Sequence, residues 1–152
     1  MVPERIEREI LIDAPLEVVW AIVTEPEHVG SWFSDSAEID LRPGGEAVLT
    51  WDEHGSARGR VEKVEPPHSF SFRWARPMGA EPREGNSTLV EFSLSAEGEG
   101  TRLRVVESGF QSLDGSEEEN AKYAEGNTDG WKHELGELLD YASKQVQESA
   151  RR

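Results

Sequence analysis

The residues best suited to chemistry sit near the C-terminus, where HELGE at 133–137 falls one letter short of HExxH, the helical pattern of zinc peptidases. In that pattern two histidines hold the metal and a glutamate acts as base. A zinc site of this kind also needs a third protein ligand and an open coordination position in a dry cleft. At about 100° per residue, His133 and Glu137 point away from the apolar stripe that runs through Trp131, Leu135 and Leu138. The pair is therefore predicted to face water as an i,i+4 surface contact, and no metal is expected. The other acid–base candidates are His28, His54, His68 and Glu107, with Arg60 as partner for an oxyanion or carboxylate. His54 in DEHG and His68 in EPPH fall in predicted turns, where an exposed histidine is ordinary. Glu107 follows the last strand-like run and is the acid placed to face an interior. No GxSxG elbow, glycine-rich phosphate loop or P-loop lysine is present. The lack of cysteine removes thiolate nucleophiles, disulfides and cysteine zinc sites. No catalytic residue stands out; Glu107 is the first candidate among these groups, and no cofactor is expected.

The elements that must position these residues follow from periodicity. RIEREILID alternates so that Ile6, Ile10 and Ile12 share a face, which predicts a half-buried strand. Pro15 suits the first turn of a helix that Pro26 ends, and EPEHVGSWF predicts a second short helix closing on Trp32 and Phe33. From 36 to 108, turn signals at PGG, DEHG, EPPH, RPMGAEPREGN and AEGEG separate strand-like runs. These runs put Ala47, Leu49 and Trp51 on one face, then Phe70, Phe72 and Trp74, then Val90, Phe92 and Leu94, then Leu103 and Val105. Such a meander is apolar on one side and charged on the other. A final helix is predicted from about 129 to 147 with Trp131, Leu135, Leu138, Leu139, Ala142 and Val146 as one stripe; the segment 111–128 has no firm periodicity. The tail at 149–152 is predicted to fray, leaving an ordered core over 5–148. The layout is α+β, one unit over 1–152, with a curved antiparallel sheet that covers its apolar face by wrapping the C-terminal helix.

Composition limits the partners. Sixteen basic against thirty-one acidic residues give a formal charge of −15, which repels nucleic acid and anionic membranes at long range. The N-terminal residues carry charges and no apolar block long enough for a signal region or a span, so a cytoplasmic protein is expected. Five Trp, five Phe and two Tyr put much apolar area into few side chains, each able to bury roughly 150–250 Å².

The order of elements and five stretches resemble the SRPBCC, or START-like, superfamily. Within it they are similar to the bacterial domains related to the C-terminal part of the activator of the heat-shock-protein-90 ATPase. The stretches are IDAPLEVVWAIVTEPEHVGSWF at 12–33, RPGG at 42–45, GRVEKVEPPHSFSFRW at 59–74, TRLRVVESGF at 101–110 and GW at 130–131. The resemblance implies a helix-grip fold with two small helices closing one end and a cavity between helix and sheet. In related families that cavity takes lipids, polyketides, hormones or other apolar molecules. The expected function is binding of a small hydrophobic or aromatic molecule, lined by Trp32, Phe33, Trp51, Phe70, Phe72, Trp74, Phe92, Phe110, Trp131 and Leu135. One alternative is a polyketide cyclase or aromatase-like enzyme using Glu107. The other is a co-chaperone-like module acting on a heat-shock ATPase, a contact the eukaryotic activator makes largely through a further N-terminal domain. The chain is expected to be a monomer or a dimer. An enclosed cavity of roughly 300 Å³ or more would favour binding or catalysis over interaction, and a filled core would count against both.

Overall fold

The computed structural model describes residues 1–150, with side chains through Glu148. Of the tail predicted to fray, 149–152, only the backbone of 149 and 150 lies within the described residues. Strand β1 (Arg5–Ile12) is followed by helices α1 (Leu16–Thr24) and α2 (Pro26–Trp32). Six strands come next: β2 (Ser36–Ile39), β3 (Glu46–Trp51), β4 (Gly55–Glu65), β5 (Ser69–Ala75), β6 (Ser87–Glu97) and β7 (Gly100–Ser108). A 3-10 turn at Phe110–Ser112 leads into helix α3 (Glu117–Ala150). The strands form one antiparallel sheet in the order β1-β7-β6-β5-β4-β3-β2.

Period two decides what faces inward. Ala47 and Leu49, Phe70 and Phe72, Val90, Phe92 and Leu94, and Leu103 and Val105 are all buried in one cluster or against it. From α3 that cluster receives Trp131, Leu135, Leu138 and Ala142, so the sheet grips the helix as the pattern requires. The outer face is charged. There Arg102 bridges Glu9 at 3.3 Å and Glu97 at 2.6 Å, and Arg104 pairs with Glu7 across β1 and β7. The two short helices are tied together from within: Trp32 Nε1 donates to the Ile22 carbonyl at 2.9 Å.

Three expectations are corrected here. Helix α3 begins at Glu117, about three turns before the predicted start at 129. Ser116 and Glu119 form a reciprocal capping box, with Glu119 N–H donating to Ser116 Oγ at 3.1 Å and Ser116 N–H donating to Glu119 Oε1 at 3.2 Å. Glu117, Glu118 and Glu119 also complement the helix dipole. Leu139, placed in the buried stripe, is 37% exposed. It lies beside Leu138, which is fully buried, and the stripe is too narrow to cover both. Phe110, expected among the cavity-lining aromatics, packs instead in a separate cluster with Val2, Leu113 and Ala124, 6.0 Å from the Tyr123 ring. The early start of α3 creates that second cluster, which holds the chain's N-terminal residues and the 3-10 turn.

Candidate functional site

The most unusual buried group is Glu107. It follows Leu103 and Val105 in the inward phase of β7 and is 0% exposed, deeper than its predicted place after the strand. Every side chain hydrogen-bonded to it donates. Trp131 Nε1 donates to Oε1 at 2.9 Å, and Trp74 Nε1 and the Thr88 hydroxyl donate to Oε2 at 3.0 and 2.6 Å. The Asn127 amide donates to both oxygens at 3.1 Å. An acceptor-only carboxylate matches this shell, which joins β5, β6 and β7 to α3 with no cationic partner among the described residues. No buried side-chain nitrogen or oxygen among the described residues is left without a hydrogen-bond partner.

Above this network lies a groove at the open end between sheet and helix, about 180 Å³ in volume. Phe33, Trp51 and Trp74 wall one side. Asn127, Gly130, Trp131 and Glu134 wall the other, at the i, i+3, i+4, i+7 spacing of one helix face. The rings are locked to one another. Phe33 stacks on Trp131 at 5.4 Å and on Trp74 at 5.9 Å and meets Trp51 edge-on at 5.5 Å. Trp51 Nε1 donates to the Phe33 carbonyl at 3.0 Å, which pins the end of α2 to the sheet. Gly59, paired with Trp74 across β4 and β5, leaves no room for a Cβ, since one built there would meet the Arg73 carbonyl oxygen at 2.7 Å.

Beneath Phe33 the interior is packed. The void there lies between the two short helices and the sheet and measures about 20 Å³, with Trp32, Phe33, Phe70, Phe72 and Phe92 among its walls. That is room for about one water, and its walls are apolar. Between α3 and the sheet, aromatic rings interlock: Phe70 stacks on Phe92 at 6.2 Å and Phe92 meets Trp131 edge-on at 5.9 Å, so no enclosed cavity of roughly 300 Å³ opens there among the described residues. Leu135 is buried in the same core and lines neither space. Phe33 lines both.

The remaining polar candidates stay apart. His28 Nδ1 and the Tyr141 hydroxyl share a hydrogen bond of 2.6 Å, and Glu25 lies 3.6 Å from the other ring nitrogen. His54, His68 and Arg60 are exposed, and His68 Nδ1 lies 3.1 Å from the Leu94 carbonyl. His133 and Glu137 face water at 71% and 53% side-chain exposure, 3.8 Å apart. Among the described residues, no group of three or more His, Cys, Asp or Glu side chains is placed to hold a metal ion.

A family model matches residues 13–143, described as Activator of Hsp90 ATPase homolog 1-like protein. The chain belongs to this family. No curated protein matches it. Among solved structures, protein MLL2253 from Mesorhizobium loti superposes with a TM-score of 0.77 at 21% identity, over 92% of this chain and 97% of that one. CalU16 from Micromonospora echinospora gives 0.67 at 28% identity over 95% and 79%. The Aha1 dimer from Colwellia psychrerythraea gives 0.72 at 18% identity over 90% and 93%. The likenesses under 25% identity establish the helix-grip fold. No helix of this Activator of Hsp90 ATPase homolog 1-like chain is long and apolar enough, among the described residues, to cross a membrane.

Four groove or network residues of this family member escaped the sequence reading: Thr88, Asn127, Gly130 and Glu134. Asn127 and Glu134 flank Trp131 at i−4 and i+3, so a wider reading of the helix face would have found them. Glu134 is half-buried, and burial pushes its carboxyl up to about 7, with His133 lowering it and Glu137 raising it. Since the folded value lies above the ordinary one, the contribution to stability is full below about pH 4.5 and lost as pH rises through 7. Glu134→Gln is therefore expected to match the parent near pH 4.5 and to exceed it by about 1 kcal/mol at pH 8, after discounting for partial exposure. Urea unfolding at the two pH values checks this.

Proposed function

We infer that this protein binds a small apolar or aromatic molecule, seated not in the enclosed cavity expected between sheet and C-terminal helix, which is filled, but in the open groove over Phe33. The observation that carries the reading is the groove wall, where three indoles and a phenyl ring converge on a concave space of about 180 Å³ beside a half-buried acid. Its size fits a ring or a short branched chain. A larger ligand would have to displace Phe33 and draw on the interior void.

Glu107 supports binding better than catalysis. Its oxygens are fully enclosed and stand behind Trp74 and Trp131, so no proton can pass between Glu107 and a molecule in the groove without dismantling the wall. This placement counts against the cyclase-like alternative, which needs an acid within reach of the ligand. The family description favours a second reading, contact with a heat-shock ATPase. An unchanged ATPase rate on adding the protein would remove it.

Gly130 allows a direct test of the binding reading. A Cβ at this position meets nothing within 4 Å, so Gly130→Leu places a side chain toward the groove without a backbone clash and adds helix propensity. The variant is expected to fold at least as stably as the parent. Native mass spectrometry of freshly purified protein, and titration with naphthalene followed by tryptophan fluorescence, are expected to show occupancy in the parent and at least a tenfold loss in the variant. Equal affinity in both would place the ligand elsewhere.

A further inference from the structure

The groove presents ring surfaces but few donors. Trp74 and Trp131 both direct their indole N–H inward to Glu107, and Trp51 directs its own to the Phe33 carbonyl. One Asn127 amide N–H is likewise engaged, shared between the two Glu107 oxygens. Among the described residues no lysine or arginine lines the space, and the one ionisable wall residue is Glu134. An anion or carbonyl-rich ligand would find no cationic partner there and at most the second amide N–H of Asn127. A cation would find a wall of aromatic ring surface that includes three tryptophans, the residue whose face attracts positive charge best, and a carboxylate at the rim. Two of the indoles donate to an anion at 2.9 and 3.0 Å, which pushes electron density into the rings and strengthens their attraction for positive charge.

Resting on the reading of the groove as a binding site, we propose that its ligand is an organic cation, an alkyl- or arylammonium whose charged head sits among Trp51, Trp74 and Trp131 with Glu134 as counter-charge. The net charge of −15 draws such a ligand toward the protein from a distance. The raised carboxyl of Glu134 agrees, since a cation beside it compensates the burial that holds it at about 7.

The proposal is tested with benzyltrimethylammonium and its uncharged carbon isostere, neopentylbenzene, followed by tryptophan fluorescence and by the indole N–H signals in two-dimensional NMR. The cation is expected to bind about tenfold more tightly than the isostere. Glu134→Gln is expected to weaken the cation about threefold or more at pH 8 while leaving the isostere unchanged, and Trp51→Leu to weaken the cation further. If the isostere binds as tightly as the cation, or Glu134→Gln leaves the cation's affinity intact, the groove is a site for neutral apolar ligands and the cation is ruled out. If neither probe perturbs the three indoles, the cation and the binding reading fall together. Glu134 is partly exposed and its substitution spares the fold, so the test does not depend on Trp51→Leu folding.

Discussion

Glu107→Leu is expected to lower the stability of the protein by about 3–5 kcal/mol, a large share of what a domain of this size has. Leucine fills much of the volume but accepts nothing. Trp74 Nε1 keeps a partner in Thr88 Oγ, also at 3.0 Å, whereas Trp131 Nε1 and the Asn127 amide lose the acceptor that satisfied them. Each stranded buried donor costs about 1–3 kcal/mol. Glu107→Gln retains one oxygen but turns an N–H₂ toward donors, so its loss should be about half as large. Thermal unfolding should register the leucine variant as a fall of roughly 10 °C, at about 2–4 °C per kcal/mol for a chain of this length. The indole N–H signals of Trp74 and Trp131 should shift in both variants. That of Trp32, whose N–H goes to the Ile22 carbonyl, should not. Unchanged stability would mean that the carboxylate does not tie sheet to helix.

The network also shows where sequence reasoning stops. Strands β1, β3, β5, β6 and β7 were legible because each carries a period-two apolar run with turn residues beside it, whereas β2 and β4 show no such run; Glu107 continues the inward phase of Leu103 and Val105. Its surroundings were not legible. Four donors reach it from β5, β6 and α3, and only the register that pairs Trp74 with Thr88 and Val90 with Glu107 brings them together. The first three turns of α3 were missed for a related reason. Gly126, Asn127, Thr128, Asp129 and Gly130 are poor helix formers taken together. Tertiary contacts override them: Ala124 is buried in the second cluster, Asn120 donates to the Leu113 carbonyl at 2.9 Å, and Asn127 donates to Glu107. Phe110 follows from the same miss, since the cluster that holds it exists only when the helix starts early. Whether aromatic faces enclose a cavity or interlock depends on how far the sheet stands off from the helix, a distance that period-two alternation does not encode.

Phe33→Ala is the second substitution with a large expected effect, and it acts on binding as well as stability. The ring is 8% exposed and packs against Trp32, Trp51, Trp74 and Trp131 at centroid distances of 5.1 to 5.9 Å. Its removal should cost about 3–4 kcal/mol, toward the lower end for a buried phenylalanine because one side already borders the groove. Unlike an ordinary core truncation, it joins two existing spaces, since Phe33 lines both the groove and the interior void. The merged space is apolar at its inner end, and apolar cavities of this kind stay dry and accept small aromatic molecules. Naphthalene should therefore raise the melting temperature of Phe33→Ala more than that of the parent, because stabilisation by a ligand grows with its affinity for the folded state. Gly130→Leu in the same background should reduce that gain by closing the outer half. If naphthalene stabilises parent and Phe33→Ala equally, the surrounding rings have collapsed into the vacated volume, and Phe33 is a packing residue with no part in dividing groove from interior.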